Sequence, residues 1–336
     1  MSTVIRTLLL ASLLALMPIA HANEATRLKL HSSIAQTRPE AQQVEHFARL
    51  VDEKSGGKLK IEVYHSGSLG LKETDMMRIM KAGLVDMAFL YGEYYNRDAP
   101  ALPAIYAQGA ITEGSQHLEV LPTLRDLYSE AYAKWGIHSV GGVVAPVFDV
   151  GLHCKDPVNS LAQLQDKKVR VWSSHLVDTF KHLGISAQVI PQSDMYLALQ
   201  TGVVDCAYYL STVAKTVSLQ EVTKYEAYLH PWAASPWIFG VSDKTWQRLS
   251  PEHRTILQLA GEEVWAETRD LAVDPERERL ARSEREALGI TMLPAFSTND
   301  VKIFVSAANR AWEEMAERAG PEGLGYYRTV SGITHH

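Results

Sequence analysis

Residues 168–209 read KVRVWSSHLVDTFKHLGISAQVIPQSDMYLALQTGVVDCAYY, and their alternation of patterns decides the fold. Lys168 to Trp172 reads as a strand, and Leu176 to Leu183 as a helix closed by Gly184. Gln188 to Pro191 is a second strand, Asp194 to Gln200 a second helix with Gly202 behind it, and Val203 to Tyr209 a third strand. The same succession occurs upstream. Leu28–His31, Pro39–Lys54, Leu59–Tyr64, Glu73–Ala82 and Val85–Leu90 read as strand, helix, strand, helix and strand. Each copy ends in helix–Gly–apolar–Val–Asp, written Ala82-Gly83-Leu84-Val85-Asp86 and Thr201-Gly202-Val203-Val204-Asp205. A β-α-β-α-β succession implies a largely parallel sheet with helices on its faces. Two copies imply an α/β protein of two similar lobes, as 336 residues also suggest.

Outside the two copies, Ser250-Pro251-Glu252 has the form of a helix start: capping serine, first-turn proline, then an acid at the positive end. The periodicity predicts one long helix from there to Gly289, kinked at Pro275 and long enough to brace both lobes. Hinges are expected at Pro146 to Gly151 and at Pro231 to Pro236, where Pro and Gly interrupt the pattern. The expected division is a signal peptide at 1–22, lobe 1 at 23–147 plus 235–275, and lobe 2 at 148–234 plus 276–330.

The amino terminus indicates export. Arg6 precedes an apolar run of 13 residues, Leu8 to Ala20, that ends in Ala20-His21-Ala22. That is the form of a cleaved signal peptide, too short for the roughly 20 residues of a membrane span. Cleavage would remove Arg6 and no acid, moving the net charge from −6 to −7. In an oxidising compartment Cys154 and Cys206 either pair or remain buried thiols. With 46% hydrophobic and 21% charged residues the chain is neither disordered nor a basic nucleic-acid binder.

Catalytic chemistry finds no support in the motifs. There is no phosphate-binding loop, dinucleotide fingerprint, nucleophile elbow or zinc-protease helix, and the 13 histidines are scattered. His31, His65 and His153 near strand ends read as satisfied histidines rather than ligands. No catalytic residue, metal or cofactor is expected. The alternative, an exported hydrolase or lyase acting on small organic acids, needs a nucleophile–base pair or a metal cluster.

Several blocks resemble a known family. Lys54-Ser55-Gly56-Gly57-Lys58-Leu59-Lys60-Ile61-Glu62-Val63, Gly67-Ser68-Leu69-Gly70 and Ala82 to Met87 carry the resemblance in the first half. Leu164 to Val171, Leu183-Gly184, Pro191 and Tyr196 to Asp205 carry it in the second. In this order they are similar to the extracytoplasmic solute-binding proteins of tripartite ATP-independent periplasmic (TRAP) transporters, the dicarboxylate-binding-protein-like family. The resemblance implies a two-lobed, type II-like periplasmic binding protein with a hinge. It implies a monomer that captures a small organic acid and hands it to a TRAP membrane permease for ion-gradient-driven uptake.

In such proteins the arginine of the K-x-R-V block pairs with the ligand carboxylate, and here that residue is Arg170. A planar guanidinium suits the role, since it matches a carboxylate through two parallel hydrogen bonds. Ser173, Tyr209, Tyr91, Ser33 and Trp232 correspond by place to other pocket positions. The family's usual proline after the Arg-Val pair is Trp172 here, the small residue after the second Val-Asp is Cys206, and a second arginine of some relatives has no counterpart in 147–152. Tyr91, Trp172, Tyr208, Tyr209 and Trp232 would make a pocket richer in aromatic faces than in charge. The ligand expected from that lining is a monocarboxylate with an apolar or aromatic body, because each buried ligand hydroxyl would need a polar partner.

Overall fold

The computed structural model describes residues 25–111, 113–233, 235–272 and 274–334; the expected signal peptide lies outside them. Among the described residues, eleven strands form two sheets. The first contains β1 (Thr26–His31), β2 (Leu59–Tyr64), β3 (Met87–Leu90), β4 (Ile137–Val143) and β10 (Trp237–Ser242), in the order β2-β1-β3-β10-β4. The second contains β5 (Val147–Cys154), β6 (Lys168–Val171), β7 (Ser186–Val189), β8 (Cys206–Leu210), β9 (Tyr225–Ala233) and β11 (Thr291–Met292). Its order is β11-β9-β5-β8-β6-β7. Helices α1 (Pro39–Lys54) and α2 (Met76–Lys81) follow β1 and β2, with α3 (Gly114–Ala133) before β4. Helices α4 (Ser174–His182) and α5 (Gln192–Thr201) follow β6 and β7.

The two sequence copies fold alike. β1 pairs in parallel with β2 and β3, and β6 in parallel with β7 and β8, so the first strand is central in each copy. The recurring Val-Asp has a common physical role. Asp86 Oδ2 accepts a hydrogen bond from the Lys29 amide and Asp205 Oδ2 from the Lys168 amide, each at 2.9 Å. Each aspartate thus ties its own strand to an amide of the neighbouring parallel strand, with a left-handed glycine turning the chain before it (Gly83 φ 65°, Gly202 φ 79°). Antiparallel strands then extend both sheets, β10 on β3 and β5 on β8. On that last pair Cys154 lies directly opposite Cys206, and the two form a disulfide with 4.1 Å between Cα atoms. Closing a loop of 52 residues stabilises the folded state by about 4 kcal/mol on chain-entropy grounds.

The chain passes between the sheets from β4 to β5 through 144–146, and back between the end of β9 and the start of β10. The remainder of the two stretches expected as hinges is strand. The helix expected from Ser250 to Gly289 is two helices, α6 (Pro251–Asp270) and α7 (Pro275–Ala287). Ser250 caps α6 by accepting from the His253 amide at 3.1 Å, as its sequence implies. Asp274 caps α7 through the Glu276 amide at 3.0 Å, so Pro275 opens a fresh helix where a kink was expected. The pair still reaches both sheets. α6 lies on β4 and α1, while Arg285 of α7 grips Glu226 of β9 through two hydrogen bonds of 2.6 and 2.7 Å. Between them, the Ala272 carbonyl and the Arg277 guanidinium hold the amide and carbonyl of Val147, the first residue past a crossing. Helices α8 (Thr298–Arg318) and α9 (Gly320–Thr334) complete the chain, α8 against α4 and α9 against α3. No helix among the described residues is long and apolar enough to cross a membrane.

The contact of α6 with β4 has no room for a side chain. A Cβ on Gly261 would lie 1.6 Å from the Val140 carbonyl oxygen, and Gly141 opposite adopts φ 93°. Gly261→Ala must therefore push helix and strand apart. We expect a loss of about 3 kcal/mol, read from urea unfolding of the two proteins, and an unchanged midpoint would refute the packing argument.

Candidate functional site

The ends of β1 and β6, the loops after them and the segment 91–108 converge between the two sheets. Arg170 ends its side chain here with 1% exposure. Its Nε donates to the Ile190 carbonyl at 2.9 Å, while its Nη1 has no hydrogen-bond partner. Among the described residues no carboxylate lies within ion-pair distance of it. The guanidinium rests on aromatic faces instead, 5.4 Å from the Tyr209 ring centre and 5.9 Å from that of Trp172. Burial pulls its pKa down to about 10, which still leaves the group charged at neutral pH.

The corresponding position in the first copy is His31, since Ala88 pairs with His31 as Ala207 pairs with Arg170. There the protein itself supplies a carboxylate to one ring nitrogen. His31 Nε2 lies 3.0 Å from Glu73, which also accepts from the Tyr95 hydroxyl. One lobe gives its strand-end group a carboxylate neighbour and the other does not.

Facing Arg170 from the first lobe is an aromatic wall. Tyr91 stacks on Trp237 with ring centres 4.7 Å apart, and Tyr94 meets Tyr91 edge-on at 5.2 Å. Burial raises the Tyr94 phenol; Glu73 and Glu93 push it the same way, while Arg38 and Arg170 oppose them, so this ring stands among charges from both lobes. A hydrogen-bond chain backs the wall. Ser173 donates to the Gln108 side-chain oxygen at 3.0 Å, Gln108 donates to the Tyr91 hydroxyl at 3.1 Å, and Tyr91 donates to Glu93 at 2.9 Å. The Gln108 carbonyl lies 3.2 Å from His175 Nε2, whose ring burial keeps neutral by lowering its pKa to about 4. The second oxygen of Glu93 has no partner.

The expected site residues fall into groups. Arg170, Trp172 and Tyr209 are in mutual contact, and Ser173 joins Tyr91 through Gln108. Ser33 leaves its hydroxyl buried and unpartnered just past β1, as does Ser32. Tyr208 stacks on Trp172 at 5.0 Å, yet its ring packs on Phe180 and Phe304 and its hydroxyl meets His230 at 2.8 Å, so it backs the site from the core. The backbone of Trp232 pairs with Phe148; its side chain lies outside the described residues. His31, His65 and His153 each face a glutamate. Sequence reasoning missed Arg38, Glu93, Tyr94, Gln108 and Trp237. Only Arg38 had a local signal, an arginine set before Pro39 at a helix start.

The model of the bacterial extracellular solute-binding protein family 7 matches residues 30–319. The chain belongs to that family. The sialic acid-binding periplasmic protein SiaP of Vibrio cholerae is 23% identical over 83% of this chain and 87% of its own. Three other curated relatives are matched over 66%, 48% and 53% of their own length, about half to two thirds. Among solved structures, a TRAP periplasmic solute-binding protein from Sulfitobacter sp. with bound β-D-galacturonate superposes with a TM-score of 0.77. It is 23% identical, over 91% of this chain and 100% of the other. A Rhodoferax ferrireducens protein with bound malonate gives 0.78 at 19% identity, over 91% and 98%. The two-lobed α/β fold is therefore that of TRAP solute-binding proteins.

Burial raises the Glu93 carboxyl from 4.5 to about 8. Between those values the folded chain holds a proton that the unfolded chain has released, so stability falls as pH rises through that window. Glu93→Gln keeps an acceptor for Tyr91 and removes the titration. Unfolding midpoints at roughly pH 5 and pH 8 should fall more for the parent than for the variant, and equal falls would show Glu93 ionised in the fold.

Proposed function

We propose that this protein is a periplasmic solute-binding protein that captures a small organic acid by its carboxylate and passes it to a TRAP permease for ion-gradient-driven uptake. The carrying observation is Arg170, a buried cation without an anion. Leaving such a group unpaired costs several kcal/mol, and a ligand carboxylate can accept two of its N–H groups at once. The division we propose is lobe 1 as 23–147 plus 235–275 and lobe 2 as 148–234 plus 276–330, and the membership of most strands in one sheet or the other supports it. In this reading the ligand lies between them, with Arg170, Trp172, Ser173 and Tyr209 on one side and Tyr91 and Ser33 on the other. Tyr208 supports Trp172 from the core. The chain acts as a monomeric receptor and not as an enzyme, after removal of residues 1–22 on export. That relatives carry bound malonate or galacturonate supports the carboxylate class.

Of the two arginines beside Tyr209, Arg38 is already neutralised by Glu40, 2.6 Å away, which leaves Arg170 for an acid group. Around it stand Trp172, Tyr209, Tyr91, Tyr94 and Trp237. This lining supports a monocarboxylate with an apolar or aromatic body. In calorimetry, phenylacetate and indole-3-acetate should bind more tightly than malonate or galacturonate. Binding of only the dicarboxylate and the polyhydroxy acid would overturn the choice of body while sparing the anchor.

The anchor has its own test. Arg170→Ala should weaken binding of the best ligand by about 2–5 kcal/mol, the range for removing one partner of a buried charged pair. An unchanged dissociation constant would remove Arg170 from the site.

A further inference from the structure

Arg38 precedes Pro39, and a residue before proline is held extended (φ −77°, ψ 145°), so its side chain leaves the start of α1 toward the second lobe. It is 7% exposed. Glu40 holds it from its own lobe, accepting from Nε at 3.1 Å and from Nη2 at 2.6 Å. That carboxylate lies in the first turn of α1, where the helix dipole favours negative charge, and Arg38, followed by Arg277, keeps it ionised against the cost of burial. The remaining arm crosses the cleft. Arg38 Nη1 donates to the side-chain oxygen of Gln192, the first residue of α5, at 3.2 Å.

The far end of this contact is the turn Ile190-Pro191-Gln192. Its Ile190 carbonyl is the acceptor for Arg170 Nε, so both arginines hold one three-residue turn from opposite lobes. They also share Tyr209, whose phenol feels Arg38 first and Arg170 next among its charged neighbours. An opening of the lobes must break the Arg38–Gln192 bond and move this turn relative to Arg38.

We propose that Arg38 is a positioning residue that latches the first lobe onto the 190–192 turn and so couples lobe closure to the ligand-anchoring Arg170. The proposal rests on the reading of the cleft as a carboxylate site that closes. Arg38 needs no contact with the ligand. Its pairing with Glu40 orients it beforehand, and the bond to Gln192 forms only when the lobes meet. Release of a bound acid then requires this bond to break first.

The test uses the full chain in four forms: the parent, Gln192→Ala, Gln192→Glu, and Gln192→Glu combined with Arg38→Gln. Gln192→Ala leaves the Arg38–Glu40 pair intact, so it probes the latch without exposing a buried charge. Small-angle X-ray scattering of the free proteins reads the lobe separation. The alanine variant should be more open than the parent, and Gln192→Glu more closed, since the new carboxylate faces a guanidinium. Adding Arg38→Gln should abolish the gain from Gln192→Glu, because the two side chains act on each other. With phenylacetate as probe, followed by tryptophan fluorescence, Gln192→Ala should raise the dissociation rate constant about tenfold, as expected for one lost hydrogen bond to a charged group. Scattering curves identical across the four forms would overturn the latch whatever binds. Absence of carboxylate binding alongside the expected scattering changes would overturn the ligand reading and leave the latch standing.

Discussion

A guanidinium brought out of water with an N–H left unbonded is the most demanding group in this fold. The surroundings of Arg170 are arranged to tolerate it without neutralising it. A backbone carbonyl at Ile190 takes one N–H, and the faces of Tyr209 and Trp172 offer weak negative potential to the planar cation. The buried and half-buried acidic side chains of the two lobes are engaged with partners of their own. Glu40 is held by Arg38, Glu73 by His31 and Tyr95, and Glu226 by Arg285. None of these three carboxylates is free to neutralise Arg170, and Glu93, whose second oxygen is unpartnered among the described residues, is held protonated by burial.

The comparison of His31 with Arg170 gives this arrangement its logic. Two copies of one β-α-β-α-β unit place a cationic or ionisable residue at the end of the central strand. In the first copy the group is spent on structure, tying β1 to the Glu73–Tyr95 pair. In the second it is left open. Similar scaffolds thus leave one strand-end group paired and the other open, and the difference lies in whether a nearby acid completes the pair. The Gln108–Tyr91–Glu93 chain and the Arg38 arm then bring the first lobe to the open group of the second.

The two-lobed fold was legible because its signals are local. Strand and helix periods, the two Gly-apolar-Val-Asp turns and the Ser250 cap each depend on a few neighbouring residues, and all recur in the structure. The Pro275 position shows where local reading stops. Proline permits either a kink or a fresh start, and the outcome turned on Asp274 capping a new helix and on Val147 docking between the two. Arg170 itself was singled out through the family resemblance of its K-x-R-V block.

What the sequence by itself determined is therefore the set of elements, their parallel pairing, the family blocks and the single arginine. Only the tertiary structure decided which neighbours that arginine has. It turned Tyr208 to the core and Tyr209 to the cleft, set Cys154 against Cys206, and assembled Arg38, Glu93, Tyr94, Gln108 and Trp237 from distant stretches. The physical reason is the range of the forces involved. Backbone preference and periodicity act over a few residues, whereas burial of a charge and the supply of its partners depend on which segments the packed lobes bring within about 4 Å.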